Sequence, residues 1–157
     1  MKKGRMKRNK VVLIVGIAAI LAGWVFKISP SKINNFTDIM SASLSFSALA
    51  TAMFLSSFSL IPAFSNSKFI NALKELGTDI KIMDRLLIST LIFFISSLMT
   101  FILLFFDCNS NSLISNIITT LWLSFTSMGF ASTFYVIAIL IKGFEHYYES
   151  QVEKNHE

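Results

Sequence analysis

Apolar residues gather into four blocks, Val11–Phe26, Phe36–Ile61, Leu86–Phe106 and Leu113–Ile141, separated by short polar stretches. A helix needs about 20 residues to cross the hydrocarbon core of a bilayer, with about 17–25 the usual range. The third block fits directly. The second and fourth are longer and must tilt or project. The first reaches a spanning length once Ile28 is included and Lys10 and Lys27 snorkel to the interface. A soluble four-helix bundle would need a polar outer face on each helix, and neither Val11–Phe26 nor Leu86–Phe106 has one.

The stretch SASLSFSALATAMFLSSFSL, residues 41–60, departs from this pattern at first sight, because its opening residues alternate serine with apolar residues as a strand does. No charge interrupts the chain from Ile39 to Ser67. A strand in lipid must belong to a closed barrel, since unpaired backbone groups are costly there. Read at 100° per residue instead, the serines sort onto helix faces. One face carries Asp38, Ser41, Ser45, Ala48, Ala52, Ser56 and Ser59, all small except Asp38. A shorter line runs Ser43, Ser47 and Thr51. The fourth block repeats the arrangement with Asn116, Thr120, Ser124, Ser127 and Ala131, and the first offers Gly16, Ala19 and Gly23. Helices already in lipid gain little from the hydrophobic effect, so small residues that permit close approach guide their association. The seams of Ser41, Ser45, Ala48, Ala52, Ser56 and Ser59 and of Thr120, Ser124, Ser127 and Ala131 are therefore expected to pack helices or protomers. On this reasoning the second and fourth spans are central. The Phe-rich third span, whose lone polar line is Ser89, Ser96 and Thr100, faces lipid.

The expected fold is all-α: a polytopic membrane protein of four transmembrane helices (spans about 11–28, 36–61, 86–106 and 113–141) arranged as two antiparallel hairpins. A basic N-terminus (1–10) precedes this domain (11–141), and an acidic helical tail (142–157) follows it. The loop at 64–85 contains SNSKFINALKELGT, with Ser67 or Asn66 as a cap, apolar residues at helical spacing, Gly77 as a stop and Thr78 as the next cap. It reads as a helix lying on the inner leaflet. Lys68, Phe69, Leu73 and Lys74, together with the tail's Glu145 and Glu149, form the candidate docking surface for a cytosolic partner.

Charge fixes the expected orientation. Twelve basic residues lie in the N-terminus, middle loop and tail, against two, Lys27 and Lys32, in the first loop. Basic residues favour the cytoplasmic side, so the termini are expected inside, in a bacterial inner membrane. The net charge of +5 expresses this bias, and no direct nucleic-acid binding is expected. A cleavable leader is the rival for residues 1–23, but Ile20 three residues before the cut is too bulky, so a retained anchor is expected.

The chemistry of a catalyst is missing. There is no Ser–His–Asp arrangement, no clustered cysteine or histidine, and no phosphate-binding glycine loop. His146 and His156 sit in the tail without a third soft ligand, so neither metal nor cofactor is expected. Cys108 has no intrachain partner. Asp38, near the outer end of the second span, is expected to complement that helix's dipole, or to form a ring of carboxylates at a pore mouth in a symmetric oligomer. The four-span layout is superficially similar to the small multidrug-resistance transporters, but the first span lacks their membrane-embedded glutamate.

The basic start, the second span FTDIMSASLSFSALATAMFLSSFSLI and the helix SKFINALKELG ahead of a Phe-rich hairpin resemble the membrane subunit of the Kiwa anti-phage defence system. That resemblance covers most of the chain and is one of layout. It implies a homo-oligomer, a tetramer being one arrangement, that detects infection at the inner membrane with a soluble DNA-binding partner on its cytoplasmic face. The expected function is a non-enzymatic scaffold or sensor. The alternatives are a small homo-oligomeric channel, or an immunity or superinfection-exclusion protein that occludes another membrane protein.

Overall fold

A computed structural model describes residues 9–63, 67–75, 77–106 and 112–154, all helix, turn or short connection. Among the described residues five α-helices follow in order: α1 (Lys10–Val25), α2 (Phe36–Ala63), α3 (Lys68–Glu75), α4 (Asp79–Leu103) and α5 (Leu113–Lys154), with a 3-10 turn at Pro30–Lys32 between α1 and α2. By length and composition α2, α4 and α5 can each cross a membrane, and α1 is a shorter apolar helix. The chain is thus built as a helical membrane protein. The basic start, the loop holding Cys108, the side chain of Glu153, and His156 lie outside the described residues.

Local chemistry explains where the helices stop. The first helix ends at Val25, short of the expected Ile28, because Lys27 turns left-handed (φ 47°). The Ile28 N–H then bonds to the Gly23 carbonyl and the Lys27 N–H to that of Trp24, the paired bonds of a Schellman ending. Gly77 (φ 59°) closes α3 in the same way, with Thr78 N–H on the Leu73 carbonyl and Gly77 N–H on that of Lys74. Ser67 Oγ accepts the Ile70 N–H at 3.2 Å and so caps the start of α3. Thr78 occupies the cap position of α4 without a capping bond, because its hydroxyl donates backward to the Leu73 carbonyl at 3.1 Å. The third block gains about two turns at its start, its helix beginning at Asp79 rather than Leu86 and stopping at Leu103. The fourth continues unbroken for 42 residues, about 63 Å at 1.5 Å per residue. Much of the tail is therefore an extension of the same helix.

Packing runs in the order α1, α5, α4, α2. Neighbours in this row are antiparallel: Ser89 meets Ser132 while Ser96 meets Thr126, and Gly16 meets Ser124 while Gly23 meets Thr120. The second expected hairpin, α4 with α5, is present as a packed pair. The first is altered, since α1 lies along α5 rather than along α2. The reason is fit: a Cβ on Gly16 would run into the Met128 sulfur, and one on Gly23 would sit 2.7 Å from Thr120 Cγ2. These glycines fit α1 to α5 alone.

The expectation that the Phe-rich third span faces lipid is corrected. In its most apolar 18-residue stretch α4 is 39% buried, against 11% for α2 and 22% for α5. Ser89, Ser96 and Thr100 are each fully enclosed. In a medium as apolar as leucine, phenylalanines gain little by moving inward, Phe93 being enclosed where Gly129 makes room for its ring, whereas hydroxyls gain partners there.

Candidate functional site

Three features of the surface between and around these helices carry functional meaning: a filled seam, an open seam, and a groove.

The filled seam is on α5. Thr120 and Ser124 are buried and Ser127 and Ala131 half-buried. Ser124 Oγ donates to the Gly16 carbonyl of α1 at 3.0 Å, a helix-to-helix bond made possible by the missing side chain. Thr120 bonds back to Asn116 and offers its methyl to Gly23. On the opposite flank, α5 meets α4 through Ser132 and Ser89 (Oγ to Oγ 2.6 Å) and through Thr126 and Ser96 (3.0 Å). Gly129 admits the buried Phe93 ring, whose Cε1 would lie 2.7 Å from an added Cβ.

The open seam is on α2. Ser41, Ser45, Ala48, Ala52, Ser56 and Ser59 are all exposed, as is Asp38 at the end of the same face. Ser45 Oγ donates to the Ser41 carbonyl and Ser59 Oγ to that of Leu55, each at 3.0 Å. Those two hydroxyls are thereby satisfied along their own helix, and the strip of small residues runs from Ser41 to Ser59. The packing of α2 inside the protomer uses the shorter line instead. Ser47 is buried, Ser43 Oγ accepts the Trp122 indole N–H at 3.1 Å, and Phe36 and Met40 join Leu103 and Trp122 in a buried cluster. The second seam therefore plays no part in holding the protomer together. Asp38 stands in the first turn of α2, where its carboxylate complements the helix dipole, and it helps line a shallow cavity with Pro30 and Asn35.

The groove lies toward the α3 end. There α2 parts from α5, leaving a cavity of about 450 Å³ over α4, within the about 300–1,000 Å³ of ligand-sized pockets. Met53, Leu86, Val136 and Leu140 are among its walls, Phe93 is near its top, and Ile70 and Leu73 of α3 are its floor. Phe93 stacks on Phe54 (5.8 Å between centroids) and meets Phe46 edge-on. The pattern of apolar blocks did not point to this groove; the signal that could have marked it is the line Ala50, Phe54 and Ile61 beside the serine faces, which mixes sizes that cannot fill a helix contact evenly.

The candidate docking residues divide. Leu73, 1% exposed, is spent on the bundle. Lys74, Glu145 and Glu149 are exposed; the side chains of Lys68 and Phe69 lie outside the described residues. His146 Nε2 lies 3.4 Å from Glu75 Oε2, so the end of α3 and the tail of α5 form one joint surface. Among the described residues no three His, Cys, Asp or Glu gather as metal ligands do. No protein-family model, curated protein or solved structure matches the chain.

Proposed function

We propose that this protein is a non-enzymatic, homo-oligomeric membrane scaffold or sensor, crossing the inner membrane four times with both ends in the cytoplasm and recruiting a cytosolic partner. The observation that carries the reading is the exposed strip Ser41–Ser59. The same molecule contains a worked example of what such strips do, for its α5 counterpart seats α1 at glycine distance. A second copy is the natural occupant of the α2 strip, because close approach between small faces is the main attraction helices have in lipid. Its test is Ser45→Phe and Ala52→Phe, followed by native mass spectrometry of the purified protein. Loss of assembly in either variant supports the reading; wild-type assembly in both defeats it.

Recruitment falls to the joint surface of α3 and the tail, which the Glu75–His146 contact brings together and which carries exposed Lys74 on one side and Glu145 and Glu149 on the other. Replacing Lys68, Lys74 and Lys81 by glutamate is expected to abolish capture of the partner while leaving assembly intact. The resemblance of layout to the Kiwa membrane subunit supports a role for this scaffold in defence against phage, with a soluble DNA-binding protein as the proposed partner.

One observation favours a second reading. Asp38 shares the exposed α2 face, so an oligomer closed around that face brings its carboxylates together at one rim, as cation-channel mouths do. Conductance in planar bilayers that falls with Asp38→Asn supports a channel. A silent wild-type protein across a range of voltages opposes it.

A further inference from the structure

We infer that the groove between α2, α4 and α5 is a binding site for one acyl chain of an anionic phospholipid, drawn from the leaflet on the side of α3. The inference rests on the membrane placement proposed above, and is independent of assembly. Three observations carry it.

The first is the medium. Every wall lies on α2, α4 or α5, the helices long and apolar enough to span, so the groove opens sideways into hydrocarbon. The second is chemistry. Its two hydroxyl-bearing walls, Ser57 and Thr133, donate to their own helix, at 2.8 Å to the Met53 carbonyl and 2.9 Å to that of Gly129. No polar group is left seeking a partner from the occupant, which suits a hydrocarbon and leaves a polar ligand nothing to bind. Between Phe46 and Ile61 the groove extends about 22 Å along α2, more than the about 15 Å depth of one hydrocarbon leaflet, so it has the length to seat a whole acyl chain. The third is charge. The floor is Ile70 and Leu73 of α3, and exposed Lys74 follows the second of these. A basic residue at the interfacial end of an apolar slot complements an anionic head group. The lipid would thus sit with its chain against α4 and its head beside α3.

The test uses full-length protein in vesicles of phosphatidylethanolamine and phosphatidylglycerol at three to one. The probe is a phosphatidylglycerol carrying a diazirine in its acyl chain, with labelled peptides identified by mass spectrometry after photolysis. Labelling of the Ala50–Phe54 and Val136–Leu140 segments at least tenfold above the exposed Ile14–Leu21 face of α1 is the expected result. Ala50→Phe and Thr133→Phe each fill the groove, and each should cut that labelling at least fivefold without changing labelling of α1. Lys74→Glu should lower groove labelling by this probe at least twofold relative to a phosphatidylcholine analogue. Equal labelling of the groove and α1, or groove labelling untouched by both filling variants, overturns the proposal. So does a high yield of disulfide between copies through Met53→Cys, which would put a second copy in the groove. Ser45→Phe separates this proposal from the scaffold reading: it should abolish assembly and leave groove labelling unchanged.

Discussion

Hydroxyl side chains do most of the specifying at the scale of single residues. Ser89 and Ser132, 2.6 Å apart and enclosed, join α4 to α5 where neither helix gains by hiding its leucines. Such bonds between membrane helices are worth about 0.6 kcal/mol on average. We expect Ser89→Ala and Ser132→Ala each to destabilise modestly, and the double variant to lose less than the sum, as measured by a double-mutant cycle of unfolding in mild detergent. Additive losses would show that the two hydroxyls do not act on each other. Gly16 and Gly23 matter more, because any side chain there meets Met128 or Thr120 at once. Gly16→Leu and Gly23→Leu should each cost on the order of 1–3 kcal/mol by overpacking. They should also raise cysteine accessibility on the α1 face of α5. Equal substitutions at Ala18, which is exposed, should do neither.

Among the elements, α3 shows how an amphipathic segment is divided between two tasks. Ile70 and Leu73 are buried against the bundle, and the opposite side meets water and the α5 tail. The His146–Glu75 contact is a surface pair with Glu75 largely exposed, and such pairs contribute at most about 1 kcal/mol. His146→Ala is accordingly expected to leave α3 in place, whereas Leu73→Asp should release it. Hydrogen exchange of residues 68–75 reads the difference: near-normal protection in the first variant and fast exchange in the second. The two small-residue seams carry the complementary lesson. They look alike in sequence, yet one is occupied within the protomer and the other is bare. Composition alone cannot tell these fates apart, since the outcome depends on which face α1 reaches.

For the whole molecule the testable quantity is topology. Labelling of single cysteines placed at residue 74, in the first loop at Ser31, and in the tail at Glu149 should find positions 74 and 149 on one side of the membrane and 31 on the other. Any other pattern contradicts the proposed four crossings. The row α1–α5–α4–α2 also sets where partners can bind, because α1 and α2 are its two ends and only α2 presents an unbroken strip of small residues.

The helical character, the presence of helices long and apolar enough to cross a membrane and the ends of α3 were determined by the sequence itself. Block length, Ser67 and Gly77 act locally, through helix rise and backbone conformation, and need no neighbours. Only the tertiary structure decided that α4 is enclosed, that α1 leaves α2 for α5, that the Ser43–Ser47 line rather than the Ser41–Ser59 strip faces inward, and that a groove opens above α3. These are choices among faces of nearly equal apolarity. In lipid no hydrophobic gradient ranks such faces, so the decision passes to shape and to the pairing of hydroxyls across helices, which appear only when helices meet.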